Sequence, residues 1–417
     1  MCIRDRDKYM KCIEGGVCAA KGFKATGLNA GIKNNVKKDM ALVFSEAPCV
    51  KAGTFTTNRV CAAPVKWDKK VVFESESAQA IVVNSGIANA CTGDEGYEKC
   101  RLMAAQTAAE LGISDDAVLV ASTGVIGKQL PMDIIGKGIK QLPGQLGAAA
   151  ADAALAAEAI MTTDTKSKQA AVEFEVDGVP VHIGGMCKGS GMIHPNMATM
   201  LCFITSDAAV DEKLLQTMLR SIVDDTFNMI SVDGDTSTND SVLLIANGMA
   251  GNRKIENESS TGYKEFYDAL FYILCELSKK IAGDGEGATC LFEVQMKNVK
   301  TKADAKVLAK AVITSSLTKA AIYGHDANWG RILCAMGYSG VDFDPEKVDI
   351  WFKSEAGELK IVENGKATDY SEEKATEILS REHVIAIADV KQGTESATAY
   401  GCDLTHEYVS INADYRS

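Results

Sequence analysis

The amino-acid sequence predicts a mixed α/β (α+β) fold in which helices and strands alternate along the whole chain. Eight short apolar runs bounded by turn formers have the length of buried strands, and five longer stretches have helical periodicity. Two hairpin-type dipeptides lie between alternating segments. Helices, buried strands and antiparallel hairpins together indicate packed layers of both kinds, not a pure βαβ repeat.

The predicted strands are four to six residues long and are spread over the chain. Their bounds are Ala41–Phe44, Ala80–Val83, Ala117–Ala121, Leu201–Thr205, Val242–Ala246, Leu291–Met296, Val348–Phe352 and Val384–Ala388. Asp177-Gly178 separates VEFEV from VPVHI, and Asn364-Gly365 occupies a similar place. Antiparallel pairing is therefore expected at both dipeptides.

Helical patterns lie between these strands. They cover Glu98–Leu111, Gln145–Ile160, Asp211–Val223, Tyr263–Ile281 and Lys302–Val312. In the third pattern the apolar positions 214, 215, 218, 219, 222 and 223 form one helical face. Gly112 follows the first pattern directly and is a typical helix stop.

The composition is that of a soluble globular protein with two or three structural units. The 417 residues carry a net charge of −12, and 46% are hydrophobic. Residues 1–60 hold 11 basic and 5 acidic side chains, so the remainder is strongly acidic, which argues against a nucleic-acid partner. The basic segment around Lys33, Lys37 and Lys38 is either a solvated face or a surface that steers an anionic substrate. No apolar run is long enough for a membrane span, so no membrane partner is expected.

Cysteine usage and the N-terminus indicate the cytoplasm. The thirteen cysteines include no C-x-x-C pair, so neither a disulfide framework nor a zinc ribbon is expected. The start of the chain lacks the apolar centre of a secretory signal. Residues 1–13 are expected to be extraneous or disordered, and those up to Met10 fit an upstream start or a cloning remnant.

The segment GGMCKGSGMIHPNMATMLCFITSDA, residues 184–208, places Thr199 just before a predicted strand. A threonine hydroxyl is a poor nucleophile, but a threonine at a chain terminus can give its proton to its own α-amine. That amine titrates near 7.7–8.0 when unperturbed, which suits a base at neutral pH. The residue types alone also fit a structural threonine at the start of a strand.

This segment resembles the self-cleavage site of the ornithine acetyltransferase/glutamate N-acetyltransferase family, the bifunctional proteins of arginine biosynthesis. The resemblance covers about residues 14–417. Its landmarks, in order, are GVCAAKGFKATGLNAGIK (16–33), KAGTFTTNRVCAAPVKW (51–67), NSGIANACTG (84–93), STGVIGKQLPM (122–132), MTTDT (161–165), MATML (197–201), SVDGDTSTNDSV (231–242), GDGEGATC (283–290), YGHDANWGRIL (323–333) and NADYRS (412–417).

The resemblance implies a self-cleaving four-layer αββα sandwich of the ornithine acetyltransferase/aminopeptidase type with a smaller α/β domain. Cleavage between Ala198 and Thr199 would give an α chain, 14–198, and a β chain, 199–417, assembled as α2β2. The implied reaction is ping-pong: N-acetylornithine acetylates Thr199, ornithine leaves, and glutamate accepts the acetyl group. No metal or organic cofactor is implied, and acetyl-CoA is allowed as an additional substrate.

The resemblance also assigns the site residues. Thr199 is the nucleophile, and Thr123 and Gly124 supply the oxyanion donors. The implied substrate contacts are Thr162, Lys188, Thr199, Glu286, Asn412 and Ser417. On charge alone, Lys188 suits a substrate carboxylate and Glu286 suits an ammonium group.

Other interpretations stay open from the residues alone. Residues 122–124 fit a turn after a strand, Lys188 a solvated loop lysine, and Glu286 a carboxylate at a helix end. Cys187 and Cys290 depart from the usual Ala and Lys of the family, which puts only fine substrate preference in doubt. A hydrolysing relative, an N-terminal-nucleophile amidase or aminopeptidase, is one rival function, and a non-catalytic nucleotide-binding or scaffold protein is another.

Metal and phosphate sites receive little support from the sequence. The histidines at 182, 194, 325, 383 and 406 lack metal-binding spacing, so no metal is predicted. The glycine-rich strings GGMCKGSG and GDGEGAT match neither phosphate-loop pattern. SVDGDTSTND lacks the spacing of a calcium loop and is expected to form a packed turn network.

Overall fold

A computed structural model of the chain describes residues 10–33, 36–194 and 200–414. Its strands are β1 (Met10–Cys12), β2 (Phe23–Leu28), β3 (Met40–Phe55), β4 (Ala78–Ile87), β5 (Val118–Val125), β6 (Lys168–Val176), β7 (Val179–Lys188), β8 (Leu201–Ser206), β9 (Ser241–Ala246), β10 (Leu291–Val299), β11 (Asp349–Ser354), β12 (Gly357–Glu363), β13 (Lys366–Ala367), β14 (His383–Asp389) and β15 (Glu395–Cys402). Its α-helices are α1 (Ala63–Glu74), α2 (Gly93–Leu111), α3 (Met132–Gln141), α4 (Ala150–Ala159), α5 (Glu212–Asp225), α6 (Tyr263–Gly283), α7 (Lys302–Thr314), α8 (Ser316–Tyr323), α9 (Trp329–Gly337), α10 (Glu372–Leu379) and α11 (His406–Ala413).

Within the described residues, nine strands form one sheet in the order β1-β6-β7-β8-β9-β3-β4-β5, with β2 also paired to β3. The long strand β3 belongs to both halves of this sheet. Its first part pairs with β2 and β4, and its last part, from Val50, pairs with β9. A register shift between Phe44 and Cys49 separates the two parts, and an irregularity of this kind bends a strand.

The side chains of β8 show how the layers are stacked. Leu201 and Phe203 pack into the core formed with β2–β5, whereas Cys202 and Ile204 pack into the core formed with helices α5 and α6. Because successive side chains of a strand point to opposite faces, one face of β8 contacts the other half of the sheet and the other face contacts helices. This arrangement agrees with the mixed α/β sandwich that was predicted.

A smaller unit follows α6. Its six described strands pair in the order β13-β12-β11-β14-β10-β15, and β10 and β14 run parallel. Helices α7, α9 and α10 pack with this sheet around a core of their own that includes Phe292 and Phe352. The Asn364-Gly365 turn joins β12 to β13, as the sequence predicts.

All eight predicted strands are present, and Asp177-Gly178 joins β6 to β7, which confirms the other predicted hairpin. The helix predicted over Gln145–Ile160 is wrong at its start, since α4 begins at Ala150. The backbone of Gly147 pairs instead with Ala25 of β2, so it cannot take part in a helix. Among the described residues, no helix has the length and apolar character that crossing a membrane requires.

Residues 1–13 are expected to be extraneous or disordered, and the part of them that the structure describes, residues 10–13, is ordered. Met10–Cys12 form β1, which pairs antiparallel with β6, and the Ile13 amide donates to the Ala171 carbonyl at 3.0 Å. The Cys12 Sγ lies 3.1 Å from the Tyr272 hydroxyl. This stretch is therefore part of the sheet edge, because its backbone groups complete hydrogen bonds that β6 leaves open.

Candidate active site

A cavity of about 340 Å³ lies at the ends of β5 and β7, beside the turn before β9 and the loop after α6. Its wall contains six of the predicted site residues: Thr123, Gly124, Thr162, Lys188, Glu286 and Asn412. Ala198, Thr199 and Ser417 lie outside the described residues. The roles that the resemblance gives all these residues stay predictions, but the fold brings the described ones together from distant parts of the chain.

Thr123 and Gly124 belong to the end of strand β5, so the interpretation of this segment as a turn is wrong. Gly124 has φ +127°, and a Cβ at this position would lie 2.3 Å from the carbonyl carbon of Gly86, so only glycine fits. The Asn239 side chain donates to the Ser122 carbonyl at 2.8 Å and so fixes the neighbouring peptide. The backbone at the cavity wall is therefore held by contacts within the protein itself.

Lys188 is the last residue of β7 and is 8% exposed, so it is not a solvated loop lysine. Its Nζ donates to the Thr162 Oγ1 at 2.6 Å and lies 3.7 Å from the Asp164 Oδ2. An ammonium group has three hydrogens to donate. The cation at this wall can therefore bind an anionic group in the cavity while it holds Thr162.

Glu286 is buried and lies in the loop three residues beyond Gly283, the last residue of α6, so it is not a carboxylate at a helix end. The Asn412 Nδ2 donates to its Oε2 at 2.7 Å and also to the Tyr408 carbonyl at 3.0 Å. A Cβ on Gly191 would lie 2.3 Å from the Glu286 carboxyl carbon, so the glycine allows the carboxylate to approach the backbone. One wall of the cavity is thus anionic and another is cationic.

Sequence reasoning missed a buried ion-pair network beside the cavity. The Lys168 Nζ lies 2.7 Å from the Asp164 Oδ1 and 2.5 Å from the Asp284 Oδ2. Burial alone would raise the pKa of Asp164, but the ammonium groups of Lys188 and Lys168 outweigh it and lower that pKa. The spacing of Asp164 and Lys168, four residues apart, is a signal, but it is too common to indicate a buried pair.

The segment SVDGDTSTND forms a hydrogen-bonded turn network beside the cavity, as predicted. The carboxylate of Asp233 accepts the backbone amides of Met192 and Ile193 at 2.6 and 2.8 Å, and Thr236 donates to the His194 carbonyl at 2.8 Å. Burial lowers the pKa of His194 to about 4. In the described part of the chain, no three His, Cys, Asp or Glu side chains are grouped so that they could hold a metal ion.

Comparisons with known proteins give the family. The model of the ArgJ family matches residues 24–417. An arginine biosynthesis bifunctional protein ArgJ from Thermotoga neapolitana is 50% identical over 398 residues, which are 95% of this chain and 99% of the relative. A glutamate N-acetyltransferase from Methanocaldococcus jannaschii is 47% identical over 412 residues, covering 97% of this chain and all of the relative.

A solved structure supports the same family. The crystal structure of arginine biosynthesis bifunctional protein ArgJ from Bacillus halodurans matches at 43% identity with a TM-score of 0.50, over 52% of this chain and 99% of that chain. The family predicted from the motifs is thus confirmed by a family model and by relatives that span almost the whole sequence. The chain therefore belongs to the ArgJ family.

Proposed function

We propose that this ArgJ-family acyltransferase of arginine biosynthesis transfers an acetyl group from N-acetylornithine to glutamate through an acetyl ester on Thr199. Its relatives are named arginine biosynthesis bifunctional protein and glutamate N-acetyltransferase. The observation that carries the proposal is the cavity, which joins a glycine-containing strand end, a cation and a carboxylate. Met200, the next residue after Thr199 in the chain, also lines it.

The first step is self-cleavage. The Thr199 hydroxyl adds to the Ala198 carbonyl carbon and the C–N bond breaks, so that the acyl group moves from nitrogen to oxygen. Water then hydrolyses the ester, which leaves a carboxylate on Ala198, a free hydroxyl on Thr199 and an α-amine that can serve as its base. The oxyanion that forms would accept hydrogen bonds from Thr123 and Gly124.

Two observations support this cleavage. Strands β7 and β8 are antiparallel neighbours, with Lys188 opposite Leu201, so the proposed cut falls in their connection and leaves the pairing intact. The second is the match to the crystallised Bacillus halodurans chain, which covers 52% of this chain. A fragment from Thr199 to Ser417 would hold 219 of the 417 residues, or about 53%.

Acetyl transfer would use the same atoms again. The Thr199 hydroxyl gives its proton to the α-amine and attacks the acetyl carbonyl, and ornithine leaves with a proton on its nitrogen. The amine of glutamate then attacks the ester and restores the hydroxyl. Lys188 would bind the α-carboxylate of either substrate, and Glu286 the side-chain ammonium of N-acetylornithine, because each buried charge needs an opposite partner.

The test is denaturing mass spectrometry of the wild type beside Thr199→Ala, with Thr376→Ala on the exposed face of α10 as a matched control. We expect fragments of 198 and 219 residues from the wild type and the control, and an intact chain from Thr199→Ala. Ornithine release is then measured with and without glutamate. An intact wild type would contradict the proposal, and equal release without glutamate would identify an amidase.

The proposal also includes the compartment of the protein, the assembly of its fragments and acetyl-CoA as a second acetyl donor. The twelve cysteines among the described residues are all free, which supports a reducing compartment and hence the cytoplasm. The two fragments should stay together, because both contribute strands to one sheet, and the family resemblance implies two copies of each, which native mass spectrometry tests. Replacing N-acetylornithine by acetyl-CoA in the assay tests whether the second donor is used.

A further inference from the structure

Lys168 is a buried cation next to the cavity that the reaction steps above do not use. It is the first residue of β6 and lies opposite Cys187, the neighbour of Lys188, in the β6–β7 pair. Its side chain is 2% exposed. The Nζ contacts the Asp164 Oδ1 at 2.7 Å, the Asp284 Oδ2 at 2.5 Å and the Lys166 carbonyl at 3.4 Å.

The carboxylate of Asp164 connects Lys168 to two segments that line the cavity. Its oxygens accept the backbone amide of Thr162 at 3.0 Å and that of Gly189 at 2.6 Å. Thr162 and Gly189 both line the cavity, and Gly189 follows Lys188 directly. The position of this carboxylate therefore fixes the cationic wall.

Asp284 makes the corresponding connection to the anionic wall. Its carboxylate accepts the amide and the hydroxyl of Thr165, and its carbonyl accepts the Ser190 hydroxyl at 2.7 Å. The Glu286 amide in turn donates to the Ser190 carbonyl at 3.0 Å. One lysine thus ties together the segments that carry Thr162, Lys188 and Glu286.

The charges around Lys188 explain why the cation of Lys168 is important for the cavity. Asp164 lies within ion-pair distance of both lysines, at 2.7 Å from Lys168 and 3.7 Å from Lys188. Interactions with Asp164 and Asp284 outweigh burial and raise the pKa of Lys168, so it is charged at neutral pH. Without Lys168, the buried carboxylate of Asp164 and the partly buried one of Asp284 would lose their shared partner, and the ammonium of Lys188 would be drawn toward Asp164.

We propose that Lys168 is a positioning residue for acetyl transfer: by neutralising Asp164 and Asp284, it leaves the ammonium of Lys188 available to the substrate carboxylate. This inference rests on the proposed function, in which Lys188 binds that carboxylate. Loss of the Lys168 charge weakens substrate binding more than it slows the chemical step, because Lys168 touches neither the acetyl group nor the segments assigned to the oxyanion.

The experiment compares Lys168→Met and Lys168→Arg with the wild type. Lys51→Met is a matched control, because Lys51 is equally buried and pairs with Glu212 of α5 at 2.9 Å. We expect Lys168→Met to raise KM for N-acetylornithine at least about tenfold while kcat changes less than about threefold, and Lys168→Arg to restore KM toward the wild-type value. Lys51→Met should leave KM unchanged.

A double variant separates charge from packing. Lys168→Met combined with Asp164→Asn removes one positive charge together with the carboxylate that would otherwise draw Lys188 away, so KM should return to within about threefold of wild type. This variant also replaces Lys168→Met if the single variant does not fold. A KM that stays high in the double variant, or rises equally in Lys51→Met, would overturn the positioning role.

The inference and the proposed function fail in different ways. A wild type that releases no ornithine from N-acetylornithine would contradict the proposed function itself. An active wild type with a KM that Lys168→Met leaves within about twofold would contradict the Lys168 inference alone.

Discussion

Charged side chains beside the cavity of the nine-stranded sheet are buried, whereas the six-stranded unit carries ion pairs that are exposed to solvent. Beside the cavity, Lys168, Lys188 and Glu286 are each less than a tenth exposed and are held by short hydrogen bonds. In the six-stranded unit, the pair of Lys353 and Glu358 has both side chains 48% exposed. Solvent can replace the partner of an exposed charge but not that of a buried one.

Because of this difference in burial, ion pairs at the two places contribute different free energies. Measured surface pairs contribute about 0–1 kcal/mol, whereas breaking a buried pair costs about 3–5 kcal/mol because it leaves an unpaired charge. The six-stranded unit depends on an apolar core around Phe292 and Phe352. We therefore expect single-atom changes to matter beside the cavity and changes to exposed charges of the smaller unit, such as Lys353 and Glu358, to matter little.

The largest expected effect is that of Gly124→Ala. A Cβ would collide with the Gly86 backbone and displace the strand end that carries the proposed oxyanion donors, so kcat should fall by about 10²–10³. Gly365→Ala is the matched change in the smaller unit: it also has a positive φ, and its Cβ would lie 2.5 Å from the Pro345 carbonyl oxygen. It should lower thermal stability but leave kcat of the folded enzyme unchanged. Equal losses of kcat would break the comparison.

The next largest effects are expected when the charge of Lys188 or of Glu286 is removed from the cavity wall. Lys188→Met should raise KM for both substrates about tenfold or more, because a hydrogen bond between charged groups is worth about 1.5–3 kcal/mol. Glu286→Gln should raise KM for N-acetylornithine but not for glutamate, since glutamate brings a carboxylate and not an ammonium to that wall. Steady-state kinetics with each substrate varied measures both effects, with Glu358→Gln as the control. If neither KM moves, the assignment of the two walls is wrong.

Local patterns predicted most elements of the fold because each depends on neighbouring residues. The strand runs and the two Asp-Gly and Asn-Gly hairpins depend on burial and turn chemistry that can be read within ten residues. The start of α4 could not be predicted, since Gly147 pairs with Ala25, which is 122 residues away in the chain. Long-range pairing overrides helical propensity there, as tertiary contacts generally do.

The site was predicted in part, and only through the family resemblance. Residue types alone left Lys188 open to interpretation as a solvated loop lysine and Glu286 as a helix-end carboxylate, because their burial depends on segments far away in the sequence. The link from Asp164 to Lys168 and Asp284 was missed for the same reason: two members are close in sequence, but Asp284 joins them only after folding. Thr199 was found by its MATML context, not by its geometry.

The next expected effect is smaller and depends on pH. It concerns one histidine–carboxylate pair, and a second pair serves as the control. The hydrogen bond from His182 to Asp207, 2.7 Å long, raises the pKa of that histidine more than burial lowers it. This stabilisation is complete below about pH 6.5 and is lost as pH rises through the higher folded-state pKa. The wild-type Tm should therefore fall by about 1–2 °C more than that of His182→Gln between pH 6 and pH 9. His383→Gln is the control, because the His383 side chain is 47% exposed although its partner Glu293 is buried. The same pH response in the wild type and His182→Gln would contradict this role.

The smallest expected effect belongs to Glu358→Gln, and it is the most direct test of the comparison. Lys353 and Glu358 are cross-strand partners on β11 and β12, 3.1 Å apart and half in solvent. Their attraction should contribute less than about 0.5 kcal/mol, and it should shrink in salt, because the Debye length falls from about 30 Å at 0.01 M to about 3 Å at 1 M. Thermal unfolding of both proteins at these two salt concentrations measures the difference. A loss above about 1.5 kcal/mol that salt does not reduce would mean that charges in the smaller unit act as buried ones do, and the contrast with Lys168 would then not come from burial.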